Sequence, residues 1–379
     1  MLLLIKNANV LAPKAIGMKD ILVGGGKILA IENSIESHST FQIWDAQGKT
    51  LTPGLIDQHQ HITGAGGKHG FHSLTPEISA TELVATGTTT VVGLTGTDGA
   101  TKSIKTLYAK TKALELQGLS AYMFTGYYGL DPNYIMDSVQ DDMIFIDKVI
   151  GCKIAISDIR SSYPTDIELL RILREVMVGG MIGRKKGILH FHLGILNTKM
   201  DQLFRLVQEH DFPIKHISPT HVGRNVELFD QAIEFAKLGG MIDITTGASK
   251  YTDPYKMVLH ALDKNAPISN ITFSTDGNAG LDKKDENGNL IGFRRAPITT
   301  NLSETVALIK QGGLDPELAI KLITSNPAKN LGLVHKGNIS LGADADFCAF
   351  DSDWKLTDVF AHGIQWMRDQ ENLMKPLFD

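Results

Sequence analysis

Cysteine is nearly absent: Cys152 and Cys348 are the only two in 379 residues. Neither has a partner at a zinc-finger or redox spacing, which argues against a disulfide scaffold and points to a reduced, cytoplasmic setting. A basic excess is also missing. With a formal net charge of -5, no surplus of cations exists to neutralise phosphates, which argues against a general nucleic-acid binder. No apolar run approaches the roughly 18 residues of a membrane span, so no membrane association is expected. The start, 1-MLLLIKNANVLAP-13, resembles a signal peptide only briefly. Its apolar run stops at Lys6 and no small-residue cleavage site follows, so an edge strand is expected there instead.

What is present is an ordinary globular composition, 42% hydrophobic and 21% charged. The chain is too long for one small domain and suits a large α/β domain with an accessory module. Residues 1–50 read as short strands separated by Gly and Asn turns, and 335–379 have the same texture. Each end alone is too small to bury a core, so the two are expected to join in one small β-sandwich module.

The middle, 51–334, alternates. Short runs rich in apolar or β-branched residues occur at 54-GLIDQHQH-61, 89-TTVVGLT-95, 119-LSAYMFT-125 and 152-CKIAIS-157. Four more follow at 187-GILHFH-192, 214-IKHISPTH-221, 240-GMIDITT-246 and 270-NITFSTD-276. Helix-like stretches lie between them, such as 101–118 and 226–240, the second ending at Gly239-Gly240. Eight βα units predict a (β/α)8 TIM-type barrel. A doubly wound open sheet is the weaker alternative, since no GxGxxG follows the first strand.

Barrel function gathers where strands end and βα loops begin. His59 and His61 end strand one and share a face, being two residues apart. His192 ends strand five, His221 strand six and Asp276 strand eight, while Lys153 lies in strand four with Arg160 just beyond. A lone HxH among 13 histidines carries little weight, and a satisfied core pair explains it equally well. Four histidines and an aspartate at four predicted strand ends point to a metal site, with zinc favoured by the imidazoles. His190 shares a face with His192, which is nearer the strand end and the better ligand. Burial of Lys153 would free its amine for reaction with carbon dioxide, giving a carbamate that could bridge two cations. A lysine salt-bridged to a neighbouring acid fits the spacing as well.

Together these residues resemble the amidohydrolase superfamily and, within it, the bacterial isoaspartyl (β-aspartyl) dipeptidases. The resemblance spans nearly the whole chain and rests on 53-PGLIDQHQH-61, 90-TVVGLTGTDG-99, 151-GCKIAISDIRS-161, 219-PTHVGRNVELF-229, 239-GGMIDIT-245 and 274-STDGN-278. It implies two zinc ions, one on His59, His61 and Asp276, the other on His192 and His221, bridged by carboxylated Lys153 and a hydroxide. It makes Asp276 the general base and acid, and Tyr128 the stabiliser of the oxyanion. It makes Arg160 and Arg224 the clamps for substrate carboxylates, with Gly66 and Thr97 beside them, and implies a homo-oligomer.

Two positions depart from the family. Lys68 replaces a glutamate that pairs with the substrate's ammonium, and Gly280 replaces a substrate-contacting serine. The reversed charge leaves two expectations. Either the enzyme hydrolyses acidic amides without a free α-amine, as a deacylase or a ureido- or cyclic-amide hydrolase would, or Lys68 turns to solvent and Glu77 or another acid receives the amine. A barrel that has lost its chemistry is disfavoured, because all six metal positions are kept. The stretch 280–295, with its turn-prone NG, is expected to form a solvated hairpin rather than a lid.

Overall fold

The computed structural model describes residues 2–248 and 250–375. Residues 376–379 of the C-terminal module lie outside them.

Eight parallel strands form one sheet in chain order: Leu55–Gln60, Thr88–Gly93, Ser120–Gly126, Val149–Ile156, Ile188–Leu193, Ile217–Thr220, Ile242–Thr245 and Ile271–Ser274. Every residue of seven of these strands is buried, as expected where helices cover one face and a packed barrel interior the other. The sheet closes on itself. His61 N–H donates to Gly277 O at 3.0 Å, and the Asp57 carboxylate accepts from the Thr275 hydroxyl at 2.5 Å, stitching strand one to the end of strand eight. The result is the TIM-type barrel that the eight repeats predict.

Both helix-like stretches named from the sequence form helices with a capped start. Ser103 caps Ile104–Leu116, and Asn225 caps Val226–Lys237, whose Leu228, Ile233 and Phe235 are buried. Strand six is shorter than its apolar run. Residues Ile214–His216 form a 3-10 turn behind Pro213, so only Ile217–Thr220 pair.

The chain ends build a nine-stranded sheet around a separate core. Trp44 from the N-terminal part packs edge-on against Phe360 from the C-terminal part, ring centroids 5.0 Å apart. Strands far apart in sheet order thus meet face to face, as in a sandwich. Leu2–Leu11 is not an edge strand. It pairs antiparallel with Ala15–Gly24 on one side and parallel with Phe41–Asp45 and Thr50–Pro53 on the other. Its inward residues Leu3, Ile5, Ala8 and Val10 are buried in the module core.

This sheet meets the barrel at the starts of its strands. Gly54 N–H donates to Asp346 O, and Cys348 Sγ donates to Gly87 O. Buried Lys336 bridges Asp344 and Asp346 at 2.8 and 2.5 Å and reaches Ser120 at the foot of strand three. The opposite rim, where the strands end, is left for chemistry. No helix among the described residues is long and apolar enough to cross a membrane.

Candidate metal centre

His59 lies inside strand one and His61 just past its end, with Lys153 in strand four and His192 in strand five. His221 and Asp276 fall after strands six and eight, not within them as the apolar runs predict. Both adopt left-handed backbone, with φ of 61° and 51°. Histidine and aspartate enter this region more readily than most residues, and it turns the chain out of the sheet at the rim.

The turn brings the donors together. One ligand atom each from His59, His221 and Asp276 lies within 4.8 Å of the others. His59 Nε2 and His61 Nε2 stand 3.4 and 3.3 Å from Asp276 Oδ1. Burial, then the charge of Lys153, pushes the His59 imidazole down to about 3, and burial lowers His61, His192 and His221 as well. All four rings are neutral at pH 7 and present lone pairs. Burial works to raise the Asp276 carboxyl, but His221, His59 and His61 hold it well below the usual range. Neutral imidazoles around an ionised carboxylate are a donor set suited to a divalent cation. The residues fit the ion.

Lys153 sits in the middle, fully buried, its amine 3.3 Å from His59 Nε2. No carboxylate lies within salt-bridge distance of it among the described residues, so the salt-bridged alternative finds no partner. Burial lowers its amine to about 7. His192 stands slightly apart: its Nδ1 accepts from the Tyr128 hydroxyl at 2.7 Å, and its Nε2 faces Asp158 Oδ2 at 3.0 Å.

Above the cluster opens a cavity of about 640 Å³, reached by His61, Tyr128, His192 and Asp276 from below. Its walls include Gly66, Lys68, Thr97, Arg160, Arg224 and Gly280, so every substrate residue expected from the sequence lines one space. Arg160 is gripped by Asp158 on two nitrogens and approaches Thr97 Oγ1 at 3.4 Å. Arg224 is half-buried, and its buried Nε atom has no hydrogen-bond partner. Burial raises the Tyr128 phenol, so it keeps its proton and can donate. Gly66 has φ 96°, and a Cβ on Gly280 would sit 3.0 Å from Gly66 Cα. A serine at 280 would therefore push these two loops apart, which accounts for the glycine.

Residues 50–365 match the Amidohydrolase family. The chain belongs to that family. It is similar over its whole length to a β-aspartyl dipeptidase from Fervidobacterium islandicum AW-1 solved in complex with a β-Asp-Leu dipeptide. That match has TM-score 0.93 and 38% identity, covering 100% of this chain and 99% of the other. A second structure of the Fervidobacterium enzyme gives TM-score 0.91 and 36% identity, covering 100% of both chains. A D-hydantoinase at 16% identity and TM-score 0.69, covering 98% of this chain and 96% of the other, shares the fold alone. Dihydroorotases match in part: that of Elusimicrobium minutum at 49% over 65 residues, 17% of this chain and 15% of that enzyme. That of Streptococcus pyogenes serotype M1 matches at 28% over 206 residues, 50% of this chain and 47% of that enzyme. The chain spans less than half the length of these dihydroorotases.

In this amidohydrolase Lys68 does not simply turn to solvent. Its amine pairs with Asp282 Oδ1 at 2.8 Å, and His69 Nε2 meets the same oxygen at 3.1 Å. Glu77 is not the replacement acid at the site; it pairs with Lys110 at 3.0 Å and is not part of the cavity wall. Residues Gly280–Lys284 and Leu290–Arg295 form the expected antiparallel hairpin, whose foot borders the cavity while its tip is exposed. His190 is legible in the sequence only as a rival ligand to His192, and Thr245, Asp98 and Lys102 escape the sequence reading. His190 Nε2 holds His59 Nδ1 at 2.9 Å, and the Thr245 hydroxyl holds His221 Nδ1 at 2.6 Å. Asp98 and Lys102 also line the cavity. Period-two alternation marks His190 as inward, but nothing local distinguishes a ligand from the residue that orients it.

Proposed function

We propose that this chain is a β-aspartyl dipeptidase working with two zinc ions, and that cleavage is carried by His59, His61, Lys153, His192, His221, Asp276 and Tyr128. The observation that carries the reading is the buried, unpartnered Nε of half-buried Arg224, which with Arg160 lines a cavity that His61, His192 and Asp276 also line. A buried guanidinium donor without an acceptor is costly unless a ligand carboxylate completes it.

His59, His61 and Asp276 would hold one zinc, His192 and His221 the other, with Lys153 as a carbamate between them. Bound there, the two ions would supply Lewis acidity and a water acidic enough to attack at neutral pH. Asp276, ionised and facing the cavity, takes the proton of the attacking water and returns it to the departing amine. Tyr128 donates its phenolic proton to the oxygen on which negative charge develops. Arg160 and Arg224 bind the two α-carboxylates that a β-aspartyl dipeptide carries, with Thr97 and Gly66 shaping the wall.

Lys68 and Gly280 set the amine side. Asp282 offsets the Lys68 charge, which supports a substrate with a free α-ammonium. The second reading, a deacylase or a ureido- or cyclic-amide hydrolase, is favoured by one feature: Lys68, Lys102, Arg160 and Arg224 line the cavity against only Asp98 and Asp276. Kinetics on β-Asp-Leu and its N-acetyl counterpart separate the two. The dipeptidase reading expects kcat/KM at least about tenfold higher for the free amine, the worth of one charge-assisted hydrogen bond. Faster turnover of N-acetyl or ureido acids would replace it with the second reading. We also take 51–334 as the catalytic barrel and 1–50 with 335–379 as its supporting module. The enzyme is proposed to act as a cytoplasmic homo-oligomer, a setting supported by two buried free thiols.

A further inference from the structure

Asp158 belongs to no element of the scheme above, yet it touches both halves of it. The residue follows strand four after Ser157, whose φ of 55° turns the chain at the rim. Its side chain is buried, and all four of its contacts point to function. Oδ2 faces His192 Nε2 at 3.0 Å and accepts from Arg160 Nη2 at 2.6 Å. Oδ1 accepts from the Arg160 backbone N–H at 2.8 Å and from Arg160 Nε at 2.9 Å. Space for it is built in: a Cβ on Gly194 would lie 2.5 Å from Asp158 Cα, so the neighbouring strand ends in a residue without one.

The hydrogen bonds fix a tautomer. A carboxylate only accepts, so His192 Nε2 must carry the proton that faces Asp158. Arg224 Nη2 lies 3.3 Å from the same nitrogen but can only donate, so it cannot replace Asp158 as the partner. The His192 lone pair is thereby placed on Nδ1, where the Tyr128 hydroxyl now donates to it and where the ring can face a metal.

We propose that Asp158 is a positioning residue that sets the tautomer and angle of His192 and at the same time locks the Arg160 fork. It would thus couple metal binding to recognition of a substrate carboxylate. The coupling to substrate rests on the dipeptidase reading; the tautomer and the metal affinity do not. Carboxylates behind metal-bound histidines typically contribute about 10- to 100-fold to metal affinity. Asparagine at 158 keeps the size but has one acceptor oxygen, too few to serve His192 and both Arg160 nitrogens.

The test compares wild type with Asp158→Asn, Asp158→Glu and Arg160→Ala. Nitrogen-15 histidine NMR of metal-free protein reads the His192 tautomer, zinc titration against a chelator reads affinity, and β-Asp-Leu kinetics read KM apart from kcat. Expected for D158N are loss of the pure Nε2–H tautomer, zinc binding weaker by about 10- to 100-fold, and a raised KM. Expected for R160A are a raised KM with tautomer and zinc affinity kept, which shows that the two effects share only Asp158. D158E should recover part of the zinc affinity. The proposal is overturned if folded D158N keeps the wild-type tautomer and zinc affinity. If D158N proves unfolded, Asp158→Ala read in the same assays decides: loss of the Nε2–H tautomer and of zinc affinity supports the proposal, and retention of both overturns it. Absence of β-Asp-Leu turnover in wild type would remove the dipeptidase reading while leaving the NMR and zinc results to decide the positioning role.

Discussion

Lys153→Met should abolish turnover while leaving the fold as stable as before or more so. The lysine is fully buried and has no acid within salt-bridge distance among the described residues, so burial weighs on its charge without repayment. Methionine has nearly the same volume and no charge, so the metal-free variant should melt at the same temperature or higher. Function should move the other way. Without the amine the proposed carbamate cannot form, the proposed pair of cations would lack its bridging ligand, and kcat should fall by about a thousandfold or more. A plain structural lysine would show the reverse pattern, with activity largely kept and stability changed. Calorimetry of metal-free protein beside steady-state kinetics separates them.

Asp276→Asn should lower kcat by about a hundredfold to ten-thousandfold, the range for losing a positioned proton carrier, with KM nearly unchanged. The amide oxygen can still lie near His59 and His61, 3.4 and 3.3 Å from the present Oδ1. It cannot take a proton from water and pass it to an amine. KM should hold because the proposed carboxylate clamps, Arg160 and Arg224, lie apart in the loops after strands four and six. Should the variant keep more than about a tenth of wild-type kcat, Asp276 would be a ligand only and another base would have to be found.

The sequence reveals the barrel because its strands are buried on both faces, so each leaves a short apolar run whatever its neighbours do. Strand ends are less legible. His221 and Asp276 lie one and two residues past their strands because left-handed turns at the rim leave no composition signal. Leu2–Leu11 looks like an edge from its sequence, since pairing with Phe41–Asp45 and Thr50–Pro53 depends on segments about 40 residues away. Lys68 shows the same limit. Its partner Asp282 lies across the cavity mouth in the hairpin, and no local pattern joins residue 68 to residue 282. Asp158 was in plain view within KIAISDIR, but its contacts with His192 and Arg160 depend on two strands standing side by side.

The most direct measurement is a crystal structure of the purified enzyme with anomalous scattering recorded at the zinc edge. Two peaks should appear at the rim, one by His59, His61 and Asp276 and one by His192 and His221, with planar three-atom density extending from Lys153 Nζ between them. An ion-free rim, or a bare amine at residue 153 with no cation near it, would contradict the account.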